Sequence, residues 1–390
     1  MDAYAKQLDV LKKSLQYREV KPFAEGPNSN WVDFSGNDFL GLSQHPSLAD
    51  AAGQAAKEFG TGATGSRLIS GTSESILALE KLLADWKGTE AALVLNSGYQ
   101  GNIAILQGLL SADDWVFWDR LNHASLVDGV RLSGAKWKRY RHLDLAHLQT
   151  LLKAAPFNAR KWIVTDSLFS MDGDYPDLPK LCDIAEAYGA FVLVDEAHAG
   201  GVFGKEKRSG LCEALGVSSR VTLQVGTFSK ALGGFGAYVA GPDVLIKTLI
   251  NTARGFIYST ALPPSVIAAA HQAVTMVWED SSLCGKLWEN VHFCWSLLER
   301  ELPPGYLPKL QKKAQKTQII PVYLPGSDLA LRVSERLMRQ GYMVRAIRPP
   351  TVPKGQERLR IAISAKQTRT QIEGLVSALK CAIVETAVAR

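Results

Sequence analysis

Five apolar runs in this chain lead into residues able to do chemistry. They read LVLNSGYQG (93–101), WVFWDRLNHAS (115–125), WIVTDSLFSMDGD (162–174), FVLVDEAHAGG (191–201) and VTLQVGTFSKALGGFG (221–236). In an open parallel sheet, ligands bind beyond the carboxyl ends of the strands, so these ends are where a site is expected. Gly98 and Tyr99 open a helix whose first N–H groups suit a phosphate. His123 supplies an imidazole, Ser170 a hydroxyl, and Asp195 with His198 a carboxylate and a second imidazole. Thr227 and Lys230 add a hydroxyl and an amine. Most lysines are solvated surface charges. Lys230 stands instead between small hydroxyl residues and a glycine cluster, where it has clearance to reach a ligand and swing away.

One cofactor needs this set together. Pyridoxal 5'-phosphate carries an aldehyde that condenses with a lysine amine, a phosphate, and a pyridine nitrogen that must stay protonated for the ring to accept electrons. Asp195 suits the ring nitrogen, because a buried carboxylate favours the charged pyridinium. His198 suits the 3-oxygen, His123 the ring face, and Ser170 and Thr227 the phosphate and 3-oxygen side. Lys230 is the Schiff-base lysine, its amine made reactive by desolvation and neighbouring cations. Two other readings are weaker. Asp195-Glu-Ala-His198 spells a DEAH box, but a nucleic-acid translocase needs a phosphate loop G-x-x-x-x-G-K-[ST], and neither Gly204-Lys205 nor Gly285-Lys286 has one. A metal site on Asp195 and His198 lacks a second histidine or carboxylate pair of suitable spacing, so no metal is expected.

The elements that must position these residues alternate. Helical spacing over 75–87 is followed by a strand at 91–95. Helices near 101–110, 125–133, 144–154 and 178–188 then alternate with strands at 115–118, 136–140, 162–165, 191–194 and 221–225. Strands this apolar, separated by helices, predict an α/β fold with a mostly parallel central sheet flanked by helices. Past Ala261-Leu-Pro-Pro264 the pattern changes to a long helical region near 265–300, strands near 317–324, 342–347 and 357–363, and a last helix near 369–386. The expected organisation is an N-terminal helix and arm over 1–44, a large cofactor-binding domain over 45–270 and a smaller α+β domain over 271–390.

With 390 residues, 46% hydrophobic and 21% charged, the composition is that of an ordinary globular protein. The net charge of +6 is spread along the chain, and the basic run Lys136–Arg141 reads as a solvated strand edge, so no nucleic-acid partner is expected. Five cysteines without CxxC spacing read as reduced thiols. The N-terminal MDAYAKQLDVLKKSLQYREVKP alternates charge with leucine, an amphipathic helix and not a secretory signal. No run of eighteen apolar residues occurs, and a soluble cytoplasmic protein is expected.

Taken together, SGNDFLGLS (35–43), GTGATGSRLISGT (60–72), SGYQGN (97–102), NHASLVDG (122–129), FSMDGD (169–174), VDEAHAGGVFG (194–204), TFSKALGGFGAYVAG (227–241), FIYSTALPP (256–264) and RLRIAIS (358–364) resemble the α-oxoamine synthases. These are fold-type I pyridoxal-phosphate transferases that join an amino acid to an acyl thioester with loss of carbon dioxide. The resemblance runs from about residue 18 to the C-terminus. AIRPPTVP (346–353) is most similar to the branch that makes 8-amino-7-oxononanoate from L-alanine and a pimeloyl thioester in biotin synthesis. Glycine- and serine-using branches are the alternative. The chain departs from the family at Gly233-Gly-Phe-Gly-Ala237 and at Lys21-Pro22, neither of them a cofactor position.

The resemblance implies that Lys230 is also the general base at the substrate Cα and that His123 polarises the thioester carbonyl. Arg360, with Asn37, holds the alanine carboxylate, as a planar guanidinium fork would. Strand spacing is expected to let only one of Arg358 and Arg360 face the site, and register favours Arg360. Arg18, Arg348 and Thr351 are candidates for the acyl substrate. Ser259 and Thr260 resemble a phosphate-binding segment lent by a neighbour, which implies a homodimer with shared active sites.

Overall fold

The computed structural model describes residues 1–20, 31–309 and 316–388; Lys21 and Pro22 lie outside them. The chain forms two compact units, Asn37–Ser170 with Asp174–Gly285, and Met1–Gly36 with Met171–Gly173 and Lys286–Arg390.

The larger unit is built on seven strands: β1 (Ala91–Leu95), β2 (Trp115–Asp119), β3 (Lys136–Tyr140), β4 (Lys161–Asp166), β5 (Ala190–Asp195), β6 (Leu223–Thr227) and β7 (Ala237–Gly241). Their order across the sheet is β1-β7-β6-β5-β4-β2-β3. All neighbours are parallel except β7, which runs antiparallel to both β1 and β6. The strands are apolar because both faces are covered: every residue of β4, β6 and β7 is buried. Leu93, Trp118, Val164, Leu193, Val225 and Val239 share one core with helix Gly98–Leu109. Each such side chain contributes about 1.5–3 kcal/mol by leaving water. At the open edge, β3 leaves Lys136, Lys138 and Arg139 exposed, charges that blunt a strand edge against pairing.

Sequence spacing placed no strand over Ala237–Gly241. That strand exists because the chain after β6 folds straight back. Phe228 N–H donates to Gly236 O at 3.0 Å, Gly234 N–H to Phe228 O at 2.7 Å, and Gly233 N–H to Lys230 O at 2.9 Å. Gly233 sits at φ +64°, where a Cβ would lie 2.4 Å from Ser43 N. The glycine cluster is therefore what lets the loop turn tightly with Lys230 within it.

The smaller unit holds an antiparallel sheet in the order β9-β10-β8, from β8 (Ile319–Tyr323), β9 (Arg345–Ile347) and β10 (Arg358–Ala362). Val32–Asp33 pairs in parallel with Tyr342–Met343. The N-terminal helix is shorter than its charge pattern suggests, Asp2–Lys13, and ends before Leu15 at φ +57°. The long region expected near 265–300 is two helices, Pro264–Glu279 and Ser282–Glu301. Asp280 makes the break: its carboxylate accepts from Ser282 N–H at 2.7 Å, capping the second helix. Among the described residues no helix is long and apolar enough to cross a membrane.

Candidate active site

At the carboxyl ends of the strands a cavity of about 260 Å³ is lined by Gly98, Tyr99, His123, Asp195, His198, Thr227 and Lys230, all sequence candidates. Asn102, Ser125 and Asp166 line it too. The first wall is the N-terminus of helix Gly98–Leu109. Ser97 caps it by accepting from Gln100 N–H at 3.4 Å, while the amides of Gly98 and Tyr99 precede the first intrahelical bond. Across from them, Thr227 Oγ1 donates to Gly236 O at 2.7 Å and accepts from Ser229 N–H at 3.2 Å, which fixes the start of the lysine loop. Amides at a helix N-terminus, a fixed hydroxyl and a half-buried amine form a site for an anion next to a nucleophile.

The opposite wall is acidic. Asp195, the last residue of β5, is buried; Asn102 Nδ2 donates to its Oδ2 at 2.7 Å and Ala197 N–H to its Oδ1 at 2.9 Å. Parallel register sets Asp166, the last residue of β4, directly beside it. Burial pushes the Asp166 carboxyl well above the usual carboxylate range, and the Asp195 charge pushes it further, against the pull of His123 N–H and Lys230. Asp166 Oδ2 accepts that backbone N–H at 2.8 Å and so anchors His123. The imidazole itself is held below its ordinary value by burial, with Lys230 adding to the effect while Asp195 and Asp128 oppose it. It is thus neutral at pH 7. Its ring meets Tyr99 edge-on, centroids 6.2 Å apart.

Asp166, Asn102 and Ser125 were missed in the sequence. A signal was available for the first: WIVTD and FVLVD are the same pattern, an aspartate closing an apolar strand. Asn102 and Ser125 give no such sign, being ordinary polar residues in the first turns of their helices.

Other candidates sit elsewhere. Ser170 and Asn37 are half-buried in the larger unit and do not line this cavity. Ser259 Oγ accepts from Gln100 Nε2 at 2.6 Å, and Thr260 O accepts from Asn96 Nδ2 at 2.8 Å, so both lie behind the helix N-terminus and outside the cavity. In the smaller unit, Arg18 donates to Thr351 Oγ1 at 3.0 Å and Arg348 to Tyr17 O at 2.9 Å, which gathers these three candidates into one group. Burial and the nearby Arg18 hold the Arg348 guanidinium below its usual value.

The expectation that alternation lets only one of Arg358 and Arg360 face the site needs correction. Residues two apart on a strand share a face. Partners separate them instead. Arg358 is held by Asp172 at 2.6 Å and Met171 O at 3.1 Å and stacks over Tyr323, whereas Arg360 donates to Ser35 O at 3.3 Å. Burial lowers Arg360 to about 10, only partly countered by Asp33, so it stays charged at neutral pH.

The donor set fits pyridoxal phosphate: one cavity offers an amine, an anion cradle, a carboxylate held by two donors and imidazoles on two sides. The chain belongs to the aminotransferase class I and II family, whose model matches residues 29–379. It is 43% identical over 381 residues to an 8-amino-7-oxononanoate synthase of Trichlorobacter lovleyi, covering 96% of this chain and 94% of that one. A serine palmitoyltransferase from S. paucimobilis, solved with a bound PLP–myriocin adduct, superposes with a TM-score of 0.91 at 28% identity, covering 99% and 98% of the two chains. An 8-amino-7-oxononanoate synthase from Francisella tularensis superposes with a TM-score of 0.77 at 29% identity, covering 91% and 98%.

Proposed function

We propose that this chain is a pyridoxal-phosphate-dependent acyltransferase that condenses L-alanine with a pimeloyl thioester, releasing carbon dioxide and the free thiol and giving 8-amino-7-oxononanoate for biotin synthesis. The observation that carries the reading is that Lys230, Asp195 and the Gly98–Tyr99 amides line a single cavity.

When bound, the cofactor supplies an aldehyde for amines and a protonated ring that accepts the electron pair left at the substrate Cα. Lys230 Nζ would hold the cofactor's aldehyde, and its free amine would be the base placed to take the substrate Cα proton. Asp195 keeps the ring nitrogen protonated. The Gly98 and Tyr99 amides and Thr227 hold the phosphate, joined by Ser259 and Thr260 of a second copy. His198 would serve the 3-oxygen side and His123 would cover the ring face; Ser170, outside the cavity lining, is assigned no contact there. Neutral at pH 7, His123 is able to donate a hydrogen bond to the thioester carbonyl without carrying a charge. Arg360 and Asn37 receive the alanine carboxylate, and Arg18, Arg348 and Thr351 receive the acyl chain's far end. The working unit is a homodimer with two shared sites, a reading supported by the position of the exposed Tyr258 and Thr260 outside their own chain's cavity.

The resemblance to a serine palmitoyltransferase supports a second reading, a serine- or glycine-using condensation. A panel of L-alanine, glycine and L-serine against pimeloyl, succinyl, acetyl and palmitoyl thioesters, followed by thiol release, separates the two. The alanine–pimeloyl pair is expected to have the highest kcat/KM. A higher value for any glycine or serine pair overturns the assignment.

A further inference from the structure

Along the cavity wall runs a directed chain of hydrogen bonds that joins its two sides. Asn102 Nδ2 donates to Asp195 Oδ2 at 2.7 Å and to Ser125 Oγ at 2.9 Å. Ser125 Oγ lies 2.7 Å from His123 Nδ1, and the Ser125 backbone N–H points at the same nitrogen from 3.3 Å. An amide nitrogen carries two protons, and both are used here. Ser125 Oγ receives one of them, which leaves its own hydroxyl proton for His123 Nδ1. That nitrogen therefore accepts from a hydroxyl and a backbone amide, and the neutral ring carries its proton on Nε2. Turning the Asn102 amide over would set Oδ1 against the Asp195 carboxylate. In the orientation found, Oδ1 is buried with no hydrogen-bond partner among the described residues, a cost the fold bears to aim both protons.

We propose that Asn102 is a positioning residue that aims the Asp195 carboxylate at the cofactor ring nitrogen and, through Ser125, fixes His123 as its Nε2–H tautomer, so that the ring-nitrogen acid and the ring-face imidazole act as one unit. This rests on the pyridoxal-phosphate reading. Asn102 and Ser125 line the cavity but are buried, and their side-chain protons are spent on Asp195, Ser125 and His123, so they act through these partners.

Two measurements test it. The first uses apo-protein labelled with ¹⁵N-histidine and needs no cofactor. NMR is expected to show His123 Nδ1 unprotonated, and a proton on Nδ1 overturns the relay. The second measures the equilibrium affinity of apo-protein for pyridoxal 5'-phosphate across neutral pH, each variant taken as a ratio to the natural protein. Asn102→Ala is expected to weaken binding about ten- to a hundredfold, the loss of one hydrogen bond to a charged group. Asn102→Asp keeps the shape and removes both donors, so the test survives an alanine variant that does not fold. It sets a second carboxylate against Asp195, and two carboxylates at that distance share one proton. Its affinity deficit is therefore expected to be largest at high pH and to shrink on acidification, while that of Asn102→Ala changes less. The titratable groups around the cavity are Tyr99, His123, Asp166, Asp195, His198 and Lys230, with Asp128 bonded to Tyr99. All are common to the natural protein and cancel in the ratio to first order. An Asn102→Asp affinity within about twofold of the natural protein at every pH overturns the proposal, since a role in shape alone would leave it there. If the natural protein binds no pyridoxal phosphate, the functional reading fails, while the apo-protein spectrum still judges the relay separately.

Discussion

Immediately after Asp195, the turn into Ala197 and His198 is held from below by a fully buried ion pair. Lys87, at the end of helix Glu74–Lys87, binds Glu196, and both side chains are 0% exposed. Lys87 Nζ also donates to Ser209 O at 2.7 Å, and Glu196 Oε1 accepts from Cys212 N–H at 2.8 Å. Gly210 faces this carboxylate at φ +143°, where a Cβ would lie 2.4 Å from Glu196 Oε2. Burial is the largest single influence and would depress the Lys87 ammonium, but the Glu196 charge and hydrogen bond, together with Tyr238 and Cys212, outweigh it and hold the group above its ordinary value. Removing one partner leaves an uncompensated buried charge, which costs about 3–5 kcal/mol. Lys87→Met is therefore expected to lower Tm by roughly 6–20 °C for a unit of this size. Lys87→Met/Glu196→Gln, which keeps an acceptor for Cys212 N–H, should recover at least half of the loss. Calorimetry of the three proteins reads this directly. A deficit below about 1 kcal/mol for Lys87→Met, or no recovery in the double variant, would refute the reasoning.

Three further outcomes are expected. Asp195→Asn keeps measurable cofactor affinity but slows exchange of the alanine Cα proton in deuterated water by at least about a hundredfold, because the ring nitrogen loses its acid partner; an unchanged rate removes that role. His142 is opposed by burial but bonded by Asp119 at 2.9 Å and Asp174 at 3.1 Å, which together raise it to about 10. Its charge thus contributes stability that is complete below about pH 6.5 and gone above about pH 10, so the natural protein's Tm is expected to fall through that alkaline range and His142→Asn to flatten the decline. Gly233→Ala forces a Cβ onto Leu42 and Ser43 backbone at a positive φ, and is expected to cost at least about 1–3 kcal/mol and to reduce cofactor affinity through the lysine loop; equal stability and affinity would show that the turn relaxes without loss.

Much of this was legible in the sequence because the parallel strands are buried on both faces. WVFW, WIVT and FVLV read as strands without ambiguity, and parallel topology then dictates that the residues following them converge. Hence His123, Asp195, His198, Thr227 and Lys230 line one cavity. What could not be read depended on register and return paths. Ala237–Gly241 carries too little apolar bulk to announce a strand and pairs antiparallel only because a glycine turn brings it back. Asn102 and Ser125 acquire meaning only when the helix N-terminus is set against β5, since each is one polar residue among many until its partner's distance is known. The two-residue spacing of Arg358 and Arg360 was misread as alternation, while Asp172, remote in sequence, is what distinguishes them.

Borohydride reduction of the cofactor-loaded protein, followed by peptide mass mapping, reads the covalent bond between pyridoxal phosphate and the Lys230 amine. A coloured protein that loses its visible band on reduction and carries a single pyridoxyl mass increment on Lys230 is the expected result. An unmodified Lys230 with the label on another lysine, or no label at all, would contradict it.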